Sequence, residues 1–121
     1  MNLEIQSFAE SGDKAKERLV LKATADIDVG AYAVFFTLTK NGENPTSGSK
    51  KAFWFPDGKV KSGDLVVLYT KSGTTSTKEL TEGRTVHFFY WGLGDSIWNT
   101  PKSGAVVLMV NNWKWKATPD Q

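Results

Sequence analysis

Between Phe53 and Val110 the chain alternates short bursts of β-forming residues with tight-turn punctuation, a pattern that admits little other than a sheet-rich fold. The bursts Phe53-Trp54-Phe55, Leu65 to Thr70, Thr85 to Trp91 and Ala105 to Val110 are cut by Pro56-Asp57-Gly58, Ser62-Gly63, Ser72-Gly73, Gly92-Leu93-Gly94-Asp95 and Ser103-Gly104. Nowhere does an apolar period of three to four residues persist over three turns, so helices are expected to be minor.

The first half follows the same grammar. Leu3, Ile5 and Phe8 open a first strand, and Glu17 to Thr24 gives a second in which Leu19, Leu21 and Ala23 share one face. Tyr32 to Thr39 is a third, whose run Val34-Phe35-Phe36-Thr37-Leu38 implies burial on both faces or a bulge. Asn41-Gly42 follows it, a hairpin signal because a type I′ turn needs positive φ at both central residues. Residues 40–51 and 71–84 are expected to be exposed polar loops, the second with one helical turn at Thr77-Lys78-Glu79-Leu80. Ile97 and Trp98 are expected to plug back into the core, and Asn111-Asn112 to bulge the last strand or to turn it toward a short one at Trp113–Lys116. The chain, residues 1–121, has room for one all-β domain of about seven to nine strands.

Composition removes several classes of function. Cysteine is absent, which excludes a disulfide framework and thiolate metal sites and fits a reducing compartment. Seven phenylalanines, five tryptophans and three tyrosines concentrate burial in few positions, enough to stabilise a small core without such staples. The 15 basic and 13 acidic residues are spread along the chain, giving a net charge of +2. That balance argues against nucleic acid, whose binders carry clustered charge and a pI above about 9. No apolar stretch approaches the ~20 residues of a membrane span, so no membrane insertion is expected. The N-terminus MNLEIQSFAESGDKAKE lacks a basic start followed by an apolar run, so the expected location is cytoplasmic unless a leader has been trimmed.

No catalytic constellation emerges. His87 is the only histidine, set between Val86 and Phe88, and is expected to be a solvent-facing strand residue opposite Phe88. A catalytic role would require a nucleophile or carboxylate partner, and no nucleophile-elbow motif is present. Asp57, Asp64 and Asp95 all sit in Gly-containing turns and are read as turn formers that bond their own backbone, with a calcium site as the sharper alternative. Lys-Ser-Gly occurs three times, at 61–63, 71–73 and 102–104, but irregular spacing makes these recurrent turns and no repeat. No cofactor, metal or catalytic residue is therefore expected.

The tryptophans offer more. Trp54, Trp91 and Trp98 lie inside apolar runs or beside turns and are read as core. Trp113 and Trp115 alternate with Lys114 and Lys116, so a strand there would put both indoles on one face and both ammoniums on the other. Inward-facing indoles would close the bottom of the core, which is the favoured reading. Outward-facing ones would form an aromatic surface for a sugar ring, a base or a partner's apolar patch. Arg84, with Lys50, Lys51, Lys59 and Lys61, would then supply a basic rim.

Order and spacing of the turn motifs also carry a family resemblance. Phe53-Trp54-Phe55-Pro56 followed by Lys61-Ser62-Gly63-Asp64-Leu65-Val66-Val67-Leu68, then Gly94-Asp95-Ser96-Ile97 and Ser103-Gly104-Ala105-Val106-Val107, resembles the lamin tail domain family. Two departures stand out. Trp98-Asn99-Thr100-Pro101 replaces a more aliphatic stretch, and Trp113-Lys114-Trp115 lies outside the pattern. The resemblance implies an immunoglobulin-like β-sandwich of antiparallel strands, a stand-alone bacterial-type member that catalyses nothing. It further implies an interaction or scaffolding module whose partner is a protein or a second copy, and in some members nucleic acid or a cell-surface structure. An edge strand such as Leu3 to Phe8 would then pair with a partner by β-augmentation. A carbohydrate-binding module using Trp113, Trp115 and Trp98 is the alternative.

Overall fold

A computed structural model describes residues 1–119. Among them run eleven strands: β1 (Leu3–Ala9), β2 (Arg18–Ala23), β3 (Ile27–Asp28), β4 (Tyr32–Lys40), β5 (Asn44–Pro45), β6 (Lys51–Trp54), β7 (Lys59–Val60), β8 (Leu65–Tyr69), β9 (Ser76–Glu79), β10 (Thr85–Tyr90) and β11 (Ser103–Met109). Helix is limited to 3₁₀ turns at Val29–Ala31 and Thr81–Gly83. The fold is all-β, and the strands form two principal sheets that pack as a sandwich.

The larger sheet runs β1-β2-β8-β10-β9, and the smaller one places β4 between β11 on one side and β5 and β6 on the other. The period of two decides what lies between them. Leu19, Leu21 and Ala23 of β2 and Val66 and Leu68 of β8 turn inward to meet Tyr32 and Val34 of β4. Phe89 of β10 joins them and packs edge-on against Phe55, with ring centroids 5.1 Å apart. Each leucine, valine and phenylalanine among them contributes roughly 1.5–3 kcal/mol by leaving water. Trp98 does return to the core, where its ring packs at an angle against Phe8, Phe36 and Trp91, whereas Ile97 is only partly buried.

Three expectations change. Strand β8 is parallel to β10, with Val86 opposite Leu65 and Tyr90 opposite Tyr69, so the sheet is mixed where antiparallel strands alone were expected. The chain leaves β8, lays β9 at the outer edge, and returns to fill the gap with β10. Gly73 on that crossing lies against Tyr90, where a Cβ would come within 2.4 Å of the ring. Secondly, Ser76–Glu79 is an exposed edge strand where a helical turn was expected at Thr77–Leu80, because Thr and Ser satisfy a ladder and β10 offers one. Thirdly, no strand forms at Trp113–Lys116, since alternation alone supplies no neighbouring edge with which to pair. The Asn41-Gly42 turn forms as expected, with φ of 56° and 74° and a bond from Glu43 N to Lys40 O.

A buried carboxylate ties the open end of the sandwich together. Glu17, fully buried, accepts from Gly12 N and Trp98 N at Oε1 and from the Thr70 hydroxyl and Ile97 N at Oε2, at 2.6 to 3.0 Å. Four donors from three segments compensate the loss of its water shell.

Candidate functional site

The outer face of the small sheet is apolar. Strand alternation places Ala33 and Phe35 of β4, Val106 and Leu108 of β11, and Ala52 and Trp54 of β6 on the side away from the core. Trp54 lies between Phe53 and Phe55, which both pack on the core, so a period of two turns its indole outward. Its exposure of 49% corrects its reading as a core residue. That orientation was legible in Phe53-Trp54-Phe55, since three adjacent strand residues cannot all face one way.

The chain beyond β11 returns over this face. Val110 N bonds Ala31 O at 2.6 Å, and the Trp113 ring then stands edge-on against Trp54, with centroids 5.1 Å apart and planes at 87°. Because β4 separates β11 from β6 and Val110 is still in register with Ala31, residues 111–113 cross at the start of β4 to make that contact. Trp113 is 55% exposed and Trp115 77%, so neither closes the bottom of the core as expected. Lys114 and Lys116 are exposed beside them. Trp98, by contrast, is buried and leaves the set of surface aromatics. Trp91 is half-buried against the core as expected.

Trp54 is held from below. Its indole Nε1–H donates to Gly30 O at 2.7 Å, and Gly30 is fixed in turn by Asp28, whose Oδ1 accepts from Gly30 N at 2.8 Å and Gly58 N at 3.0 Å. The Gly58 and Gly30 amides hold the Asp28 carboxyl below its ordinary value. No side chain fits at Gly30, where a Cβ would lie 2.1 Å from Asp57 Oδ1 and 2.8 Å from Asp57 Cα. The 28–31 turn therefore anchors Trp54 through Gly30 O and the returning chain through Ala31 O.

Arg84 belongs elsewhere. It is exposed on the larger sheet's side, with its Cδ against Gly63 in the turn before β8, and it does not join the tryptophans. Lys50 is engaged by its own loop, donating to Thr46 Oγ1 and Ser47 O.

His87 is corrected too. It shares the inward parity of Phe89, opposite to Phe88, and its Nε2 lies 2.9 Å from Asp64 Oδ2. Asp64 bonds its own turn through Lys61 N, as expected, and also accepts from Thr85 N at Oδ1. Burial pushes its carboxyl up, but the bonds from His87, Thr85 and Lys61 outweigh this and hold it below its ordinary value. The pair joins the turn just before β8 to the third residue of β10, which the parallel register brings close together. Asp95 caps locally, accepting from Ser96 N at 2.8 Å. Among the described residues no three His, Asp or Glu side chains converge as metal ligands would. No described helix is long and apolar enough to cross a membrane. The sequence matches no model of a known protein family, and no curated protein matches it.

Proposed function

We propose that this chain is a non-enzymatic interaction module that binds a protein partner through the face formed by Trp54, Trp113 and Trp115. The observation that carries it is the Trp54–Trp113 pair, two half-exposed indoles fixed edge to face, one of them anchored to a backbone carbonyl. Exposed indoles that are already ordered lose little freedom on binding, and tryptophan dominates the central contacts of protein interfaces. Phe35, Val106 and Leu108 continue the apolar surface, and Lys114 and Lys116 give it a polar rim. The resemblance to lamin tail domains supports the same reading.

Carbohydrate is the second reading, because exposed indole faces also stack on sugar rings. The test compares the wild type with Trp113→Ala/Trp115→Ala, using cross-linking capture followed by binding measurements on the purified captured protein. The expected result is a protein held by the wild type at least tenfold more tightly than by the variant, an effect of about 1.4 kcal/mol or more. Equal affinity would remove the tryptophan face from the interaction. An indole fluorescence change on a polysaccharide panel, abolished in the variant, would replace a protein partner with a glycan.

A further inference from the structure

Three of the strands at sheet edges carry a feature that discourages pairing with another chain. Strand β1 is bulged between Ile5 and Ser7 and carries Glu4. Strand β9 has only four residues, all exposed, two of them Lys78 and Glu79. Strand β6 is equally short and begins at Lys51. Strand β11 has none of these: Ser-Gly-Ala-Val-Val-Leu-Met runs seven residues without charge, proline or bulge, paired only with β4. A long, regular, apolar edge of this kind is a template for another strand.

The hydrogen-bond phase shows which groups face outward. Val110 N bonds Ala31 O and Thr39 N bonds Lys102 O, and both pairs continue the β4–β11 register. In an antiparallel ladder bonded pairs alternate, so residues 104, 106 and 108 direct their backbone groups to β4, while Ala105, Val107 and Met109 direct theirs away from it. Among the described residues no hydrogen bond is made to those three from the open side.

We infer that β11 pairs antiparallel with β11 of a second copy of this chain about a two-fold axis at Val106. That register sets Ala105 against Val107, so their outward groups meet one another, and sets Met109 N against the carbonyl of Ser103, whose own N–H bonds Thr100 O. No other two-fold register pairs all seven. The strand holds no charge, so a copy meets no like-charge repulsion, and an isologous contact closes at two subunits without propagating. A second observation points the same way. Phe8, 41% exposed, lines one depression with Ser103, and Met109, 50% exposed, lies at the other end of β11. The two-fold axis brings Phe8 of each copy to the end where Met109 of the other stands. The small sheets become one continuous sheet, with the tryptophan face present twice on it. This pairing does not depend on what the tryptophan face binds.

The test combines sedimentation equilibrium with amide hydrogen exchange on the wild type. The expected result is twice the mass of one chain, with Ala105 and Val107 amides exchanging at least about tenfold more slowly than on dilution to monomer. Val106→Lys sets two ammoniums against each other at the axis. Ala105→Pro removes an outward N–H that β4 does not use. Each variant is expected to be monomeric with an unchanged far-ultraviolet spectrum, whereas Thr77→Lys on the β9 edge is expected to leave the mass doubled. A wild type that stays monomeric at millimolar concentration would overturn the pairing. So would a dimer whose Ala105 and Val107 amides exchange freely, which needs no variant to fold.

Discussion

A carboxylate removed from bulk water has to find its donors within the protein, and Glu17 finds four. Replacing it with alanine orphans three backbone N–H groups and a hydroxyl. Each unsatisfied buried group costs about 1–3 kcal/mol, so Glu17→Ala is expected to lose roughly 3–5 kcal/mol in urea unfolding, allowing for water entry. A loss below about 1 kcal/mol would mean that the vacated space rehydrates fully. Asp64 makes a prediction in pH. Its carboxyl sits below its ordinary value when folded, so its contribution is fully present above the unfolded value near 4 and fades as pH falls through the lower folded value. Asp64→Asn should cost about 1.5–3 kcal/mol at pH 7, and that difference should shrink below pH 4. A gap that is constant with pH would assign the effect to shape and remove charge from it. Neither residue's network was legible in the sequence, because Thr70, Trp98 and His87 become neighbours only through sheet order.

At the scale of elements, the strands that bury an alternating face were readable and the others were not. Leu19, Leu21 and Ala23 announce β2 because burial selects their types, and all three are fully buried. Strand β9 buries nothing, so its Ser-Thr-Lys-Glu carries only a backbone tendency that pairing with β10 decides. The role of the 28–31 turn as the anchor of Trp54 was not legible, since Gly30 O offers no side-chain signal. Gly30→Ala should cost about 1–3 kcal/mol by forcing Asp57 away, and should shift the Trp54 indole N–H resonance. An unmoved resonance would show that the carbonyl keeps its place.

For the whole molecule, the sandwich class followed from turn punctuation, whereas the parallel β8–β10 pair did not, because a crossing over a strand yet to be placed leaves no mark but Gly73. The Trp-Lys alternation misled for a related reason: a pattern that would suit a strand needs an edge to pair with, and the chain instead spans the outer face. Ending the chain after Asn112 should therefore leave both sheets intact. The expected loss is about 0.5–1.5 kcal/mol, the worth of one edge-to-face aromatic contact, with the far-ultraviolet spectrum retained. Collapse of the fold would make residues 113–119 part of the core.

The donors that surround Glu17 are distributed unevenly along the chain, with Gly12 five residues away, Thr70 53, and Ile97 and Trp98 80 and 81. During synthesis the chain emerges from its N-terminus, so this carboxylate lacks two of its four donors until Ile97 and Trp98 have been made. Its dehydration therefore waits for those two residues, and an ending upstream of Ile97 leaves water where their amides would bond.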